Sequence, residues 1–169
     1  VSNFEFYVGM RNNFAYGPLV ATYTDLFGIA GLDYSELVTY DAGFLDLTFK
    51  WSSDRSYIFY TNFDRAQFTW TLDKFEMTVG RQRINWGQNF VWNPNDIFNA
   101  YAFTDFDYEE RPGSDALRVR YYIGFASSIE IAAKAWNEDR DPVIALLGKF
   151  NKWNYDFQAL AGWMETDLA

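Results

Sequence analysis

Residues 66–79 read AQFTWTLDKFEMTV, and this stretch decides the fold class. Apolar and polar residues alternate up to residues 73–74 and alternate again after them. Alternation with period two is typical of a β-strand that presents two different faces. A two-residue turn at 73–74 keeps the apolar residues of both strands on one face, so we predict an antiparallel hairpin. The predicted pairs are Leu72 with Phe75, Trp70 with Met77 and Phe68 with Val79.

The same alternation recurs along most of the chain, and tight turns alternate with longer connections. Barrels of the bacterial outer membrane have short periplasmic turns and longer outer loops. The pattern therefore favours an all-β fold, an antiparallel up-and-down transmembrane β-barrel with a single domain over residues 1–169. The apolar alternation is found in Phe4–Met10, Leu45–Trp51, Leu117–Ile123, Ile129–Ala135, Ile144–Phe150 and Tyr155–Ala161. The tight turns are 73–74, 124–127 and 151–154, and the longer connections are 83–114 and 137–142.

Residues 12–42 do not follow this alternation. The segment contains Gly17-Pro18, Gly28 and Gly31, and its apolar residues have no regular spacing. Glycine and proline interrupt regular structure, so we expect an irregular loop or a plug-like insert here.

The composition excludes several classes of function. The chain has no Cys and no His, which removes thiol nucleophiles, imidazole bases and Cys/His metal sites. We therefore expect no enzyme activity, no catalytic residue, no metal and no cofactor. A net charge of -9 argues against nucleic-acid binding, which requires a basic surface. The longest stretch without a charged residue, 12–24, is shorter than the roughly 20 residues that a membrane-spanning helix needs.

Two kinds of β-protein share this alternation. In a soluble sandwich or small barrel the apolar residues face inward, whereas in a membrane barrel they face lipid. Here 21% of the residues are aromatic, and the polar face repeatedly carries Arg, Lys and Glu beside Thr and Gln. Aromatic residues are enriched where a protein crosses the membrane–water interface, which favours the membrane barrel. The membrane-facing aromatic candidates are Trp51, Phe68, Trp70, Phe75, Tyr121, Phe150, Tyr155 and Trp163.

The segment after this hairpin carries three short motifs, Gly80-Arg81-Gln82, Trp86-Gly87 and the run 92–98, which reads WNPNDIF. Together they resemble porin-like outer-membrane proteins of Gram-negative bacteria, over roughly residues 64–124. The resemblance implies a barrel of well over eight strands, of which this chain is a partial chain, and a long loop, 83–114, that folds into the lumen. It also implies a location in the outer membrane, as a passive channel for small solutes or as a structural subunit of a larger complex. The implied partners are the lipid bilayer, lipopolysaccharide, and other outer-membrane proteins or a homo-oligomer.

Clustered charges in and beside the long loop are the candidates for lining or narrowing a pore. Opposed acidic and basic side chains across a narrow lumen would select solutes by charge and dipole. The same residues could equally form structural ion pairs that hold the loop, and a calcium site on the acidic run is a weaker alternative. The candidates are Arg65, Glu76, Arg81, Arg83, Glu109, Glu110, Arg111, Asp115, Arg118 and Arg120.

Two other functions remain open at this point. A soluble all-β carbohydrate-binding module would use exposed Trp and Tyr rings as stacking platforms. A hydrolase based on a carboxylate pair is disfavoured, because the adjacent Glu109 and Glu110 would point to opposite sides of a strand.

Overall fold

The structure is a computed structural model, and it describes residues 2–41, 43–87, 97–98, 113–135, 142–164 and 167–168. It is an all-β fold with two short helices, and each pairing from β2–β3 to β8–β9 is antiparallel. The prediction of an all-β antiparallel fold is confirmed. The elements are β1 Ser2–Tyr16, α1 Pro18–Ile29, α2 Tyr34–Val38, β2 Thr48–Asp54, β3 Tyr57–Leu72, β4 Phe75–Gln82, β5 Ser114–Gly124, β6 Ser127–Lys134, β7 Val143–Lys152, β8 Tyr155–Met164 and β9 Asp167–Leu168.

The strands form a single path in the order β1-β3-β4-β5-β6-β7-β8-β9, and β2 pairs with β3 beside this path. Among the described residues the sheet does not close into a barrel, because β1 and β9 stand at the two ends of the path. Contacts divide the chain into a larger unit, Val1–Val8 with Arg65–Ala169, and a smaller unit, Gly9–Asp64.

The predicted hairpin at 73–74 is confirmed residue by residue. Leu72 pairs with Phe75, and the pairing continues in the predicted register as far as Ala66 with Arg81. Asp73 has a φ of 53°, the left-handed conformation that tight hairpin turns require. Local turn chemistry and apolar alternation therefore determine this hairpin together.

The hairpin at the end of the chain has a shorter turn than the predicted 151–154. The turn residues are Trp153 and Asn154, both with positive φ, and the strands extend to the pair Lys152 with Tyr155. Phe150 consequently lies opposite Phe157. A turn at 151–154 would have placed Phe150 opposite Tyr155, two residues from its observed partner. A shift of two residues leaves every side chain on its predicted face.

Residues 12–42, which we expected to be an irregular loop or plug-like insert, contain the end of β1 and two helices. α1 begins directly after Gly17, which has a φ of 114°, with Pro18 in its first turn, where proline is well tolerated. α2 begins after Asp33, whose carboxylate accepts a hydrogen bond from the Ser35 amide at 2.8 Å. No helix in the described ranges is long and apolar enough to cross a bilayer.

Candidate functional site

The sheet of the larger unit has two faces of opposite character. One face, which we call the apolar face, carries Val79, Leu117, Ile131 and Leu146. These residues alternate along the strands with those of the other face, which we call the charged face. These apolar side chains are exposed, with Val79 at 44% and Leu146 at 47%. The neighbouring residues of the other face are buried, with Thr78 at 0% and Leu147 at 1%. The larger unit therefore buries much of the face that carries its charges and exposes the aliphatic side chains of the other face. The charged face is defined by Glu76, Thr78, Arg118, Arg120, Glu130, Ala132, Ala145 and Leu147.

Oppositely charged side chains form a ladder on the charged face. The strand register places Glu76 opposite Arg120, and Arg120 opposite Glu130. Arg120 Nη2 lies 2.6 Å from Glu130 Oε2, and Arg120 Nη1 lies 3.5 Å from Glu76 Oε1. Arg118 Nη2 lies 3.4 Å from the same Glu76 oxygen, and the Tyr122 hydroxyl donates to Glu76 Oε2 at 3.1 Å. We call Glu76, Arg118, Arg120 and Glu130 the charge ladder; two arginines balance two glutamates in it.

A second layer covers part of the charged face. We call residues 84–87 with 97–98 the inner segment. Its side chains Ile84, Trp86 and Phe98 are buried, and the rings of Trp86 and Phe98 meet edge to face at 5.1 Å between centroids. The inner segment packs on β5–β8 and forms one core with the sheet, so the described part of the 83–114 connection lies against the charged face. The sheet residues of this core are Ala116, Ala132, Val143, Ala145 and Leu147.

Hydrogen bonds tie the inner segment to the sheet at both of its ends. The Trp86 indole Nε1 donates to Glu130 Oε1 at 2.6 Å, and Gln158 Nε2 donates to the Trp86 carbonyl at 3.3 Å. The Ser114 hydroxyl donates to the Phe98 carbonyl at 2.8 Å. A hydrogen bond to a charged acceptor is stronger than a neutral one, so the Trp86–Glu130 bond is the strongest of these three.

Small residues on three adjacent strands make room for the inner segment. Ala132 lies opposite Ala145, and Ala145 lies opposite Gly162. A Cβ atom added at Gly162 would lie 2.8 Å from the Ala145 Cβ and 3.3 Å from Ile97 Cδ1. Sequence reasoning missed this row of small residues, although the sequence shows a small residue at each of the three positions.

The structure brings three of the ten pore-lining candidates together, namely Glu76, Arg118 and Arg120 of the charge ladder. It adds Glu130, which sequence reasoning had not selected. Arg65 and Arg83 are half-buried, the first on β3 and the second directly after β4. The remaining loop candidates, Glu109, Glu110 and Arg111, lie outside the described residues.

Arg81 and Asp115 form a buried ion pair with each other. Both Arg81 Nε and Nη2 donate to the Asp115 carboxylate, at 3.0 and 2.9 Å. The register places this pair two residues beyond the pair Val79 with Leu117, after Gly80, whose φ of 111° interrupts the regular strand. Both side chains are almost fully buried, whereas Glu76, Arg118 and Arg120 of the charge ladder are partly exposed.

Seven aromatic candidates belong to the apolar face of the larger unit. Phe75 lies opposite Tyr121, and the Phe150 and Phe157 rings stack at 4.9 Å. The eighth candidate, Trp51, belongs to the smaller unit, where its indole donates to the Thr61 hydroxyl at 2.8 Å. Half-buried Trp70 and Phe75 contact each other, while the other six are exposed. The six exposed rings are Trp51, Phe68, Tyr121, Phe150, Tyr155 and Trp163.

Comparison with known proteins yields no match for this chain, whether to a family model, to a curated protein or to a solved structure. Within the part of the chain that the structure describes, no group of three or more His, Cys, Asp or Glu residues could hold a metal ion.

Proposed function

We propose that this chain forms part of the wall of a porin-like outer-membrane β-barrel, with the apolar face toward lipid and the charged face toward an aqueous lumen. The observation that carries the proposal is that the sheet exposes its apolar face and buries much of its charged face. Leu146 is 47% exposed, whereas its neighbour Leu147 is 1% exposed and lies among charged-face residues. A contiguous exposed apolar surface requires a covering, and lipid tails match its aliphatic chemistry.

The extent of the apolar face supports the same proposal. On β8 this face runs from Tyr155 to Trp163, which are eight residues apart. At about 3.4 Å per residue this distance is about 27 Å along the strand. A tilt of about 40° reduces it to about 21 Å, close to the ~25 Å apolar band of outer-membrane barrels. Aromatic residues stand at both ends of this run, as they do at membrane interfaces.

The proposal includes further strands that close the barrel. The path of the sheet ends at β1 on one side and at β9 on the other. A strand edge within lipid would leave backbone amides and carbonyls without hydrogen-bond partners, which costs several kcal/mol per group. We therefore place this chain in a larger barrel whose other strands pair with these two edges.

The lumen proposed here serves the passive passage of small polar solutes, or it is the interior of a structural subunit in an outer-membrane complex. The partly exposed charge ladder supports passage, because it offers a polar wall to a solute. The proposed partners are the bilayer with its lipopolysaccharide, and other outer-membrane proteins or further copies of the chain. The net charge of -9 makes nucleic acid an unsuitable partner.

Two measurements on the full-length protein test this proposal. A barrel in the outer membrane requires detergent to stay dispersed, and it migrates differently on a denaturing gel before and after boiling. Reconstitution into planar bilayers then separates a channel, which gives discrete conductance steps, from a closed structural subunit. A protein that remains a dispersed monomer in buffer without detergent would contradict the membrane proposal.

One observation favours a second candidate, a carbohydrate-binding surface on the smaller unit. The Trp51 ring is 67% exposed, and its indole is held by Thr61, whose hydroxyl donates in turn to Asn12 Oδ1 at 2.6 Å. A fixed, exposed ring beside amide and hydroxyl groups suits stacking against a sugar. Quenching of tryptophan fluorescence by oligosaccharides, lost in Trp51→Ala, would support this function, and solubility without detergent would then favour it over the barrel.

A further inference from the structure

We propose that solutes in the lumen pass along the wall formed by β3, β4 and β5, because the inner segment seals the wall formed by β6, β7 and β8 together with the Ala116 end of β5. This inference rests on the proposed porin-like function, and it names the surface that a solute would contact. We call the part of the charged face beneath the inner segment the seal, and the part on β3, β4 and β5 the polar wall. The two differ in burial, in side-chain chemistry and in hydrogen bonding.

The sealed half is a dry, close-packed contact. Ala132, Ala145 and Leu147 of the sheet have only 1%, 2% and 1% of their surface exposed beneath the inner segment. Ile97 reaches the space above Gly162 so closely that an added Cβ would come within 3.3 Å of it. A close-packed core leaves no space for water. The alanine and leucine side chains also have no polar atom that could hydrogen-bond a water molecule. The inner segment is therefore part of the fold.

The other half of the charged face is partly accessible, although Thr78 in its middle is fully buried. The side chains of Glu76 and Arg118 are each 18% exposed, and that of Arg120 is 26% exposed. Thr69 and Thr71 on β3 share this face, opposite Thr78 and Glu76, and both are half-buried. Hydroxyl, carboxylate and guanidinium groups thus line β3, β4 and β5.

Glu130 marks the boundary between the two halves. One of its oxygens accepts the Trp86 indole of the inner segment, and the other accepts Arg120 of the charge ladder. Its side chain is 4% exposed, so it belongs to the seal while it orients Arg120 toward the open side. Arg120, held by a glutamate on each side, has a fixed place at the edge of the polar wall.

The ladder also determines which solutes suit this wall. The charges of its two arginines and two glutamates cancel, and the nitrogen and oxygen atoms of its ion pairs lie 2.6 to 3.5 Å apart. Ion pairs of this kind present dipoles to a solute, and they match small zwitterionic or uncharged polar solutes. Glu76→Gln removes one partly exposed negative charge beside two arginines, so the selectivity of the channel should shift toward anions.

Cysteine accessibility tests the two halves directly, because the chain has no native Cys. We would compare Thr71→Cys on the polar wall, Ala145→Cys beneath the seal and Ala161→Cys on the apolar face of β8. Each folded protein is treated in detergent with a positively charged, water-soluble thiosulfonate, and labelling after denaturation confirms that every thiol is reactive. We expect rapid labelling of Thr71→Cys and at least a 100-fold slower reaction of Ala145→Cys. Ala132→Cys is a second buried site in case Ala145→Cys does not fold.

Conductance in planar bilayers then tests the path. Labelling of Thr71→Cys should reduce single-channel conductance, and the same treatment of Ala145→Cys should leave it unchanged. Equal labelling rates at Thr71→Cys and Ala145→Cys would overturn the seal. Block by a label at Ala145→Cys but not at Thr71→Cys would overturn the path. If the unmodified protein inserts but never conducts, the channel form of the proposed function fails together with the path, while the labelling rates still decide the seal.

Discussion

Leu146→Arg gives the sharpest distinction between a lipid-facing and a water-facing apolar surface. Leu146 lies in the middle of the apolar face, between Ile131 and Ala161 on the neighbouring strands. An arginine on the lipid face of a barrel costs about 2–4 kcal/mol near the bilayer midplane. Since about 1.4 kcal/mol is a factor of ten, the folding equilibrium should fall by about 30-fold to 1000-fold. On a soluble protein, a substitution at such an exposed site changes stability by only about 0.5 kcal/mol.

The assay is reversible folding into phospholipid vesicles across a guanidinium gradient, with tryptophan fluorescence and gel migration as the two readouts. Trp153→Arg is the matched control, because Trp153 lies in the β7–β8 turn at the end of the apolar face and is 75% exposed. Arginine near the interface costs only about 0–1 kcal/mol. If Leu146→Arg is no less stable than Trp153→Arg, the apolar face does not meet lipid, and the membrane proposal is refuted.

Three further substitutions or titrations have defined outcomes. Leu147→Ala should lower the free energy of unfolding by about 2–5 kcal/mol in the same vesicle assay, because it empties a fully buried site, whereas Leu146→Ala should cost clearly less. Gly80→Ala should destabilise the protein by at least about 1–3 kcal/mol, since its φ is 111° and the new Cβ would meet the Ala66 carbonyl oxygen; normal stability would contradict this geometry. Hydrogen bonds from Ser35 hold the pKa of Asp33 below its usual range, so this cap stabilises α2 above about pH 4 and is lost as the pH falls through the lower folded pKa. An NMR titration checks this, and an ordinary pKa for Asp33 would contradict it.

The hairpins could be predicted from the sequence because their information is local. The pair Leu72 with Phe75 follows from a two-residue turn and from alternation on both sides of it. The last hairpin was predicted with the correct faces but with too long a turn. Trp153 is an unusual residue at positive φ, so turn propensities gave no signal that the turn was at 153–154.

The helices in residues 12–42 were missed because apolar residues occur on all sides of α1 and hide the face that it buries. Leu19, Leu26 and Ile29 of α1 are all exposed, and Val20 is its one buried residue among those described. A search for an apolar stripe therefore finds none. The boundary signals were present, with Pro18 directly after a glycine and Asp33 two residues before Ser35. Caps identify where a helix begins even when periodicity does not.

The charges of the site could be listed from the sequence, but their grouping required the register. Arg81 was selected with Arg118 and Arg120, yet strand pairing places it opposite Asp115, with which it forms a buried ion pair. Glu130 was not selected, because nothing in its neighbourhood of the chain indicates a partner 44 residues away. Long-range pairs of this kind depend on how a loop folds back, and alternation carries no information about that.

Period-two alternation predicts two faces but does not say which of them meets water. In this chain the proposed answer rests on a second layer. Trp86 and Phe98 cover the face that carries the charges, and Glu130 accepts the indole of Trp86 at the edge of that cover. A soluble sheet would use such a layer to bury its aliphatic side chains, because burial of apolar surface is the main source of stability in water. Here the layer covers Ala132, Ala145, Val143 and Leu147, while Ile131 and Leu146 remain exposed on the other face. Under the proposed function the medium beyond Leu146 and Ile131 is lipid, so these exposed aliphatic side chains meet an apolar environment there.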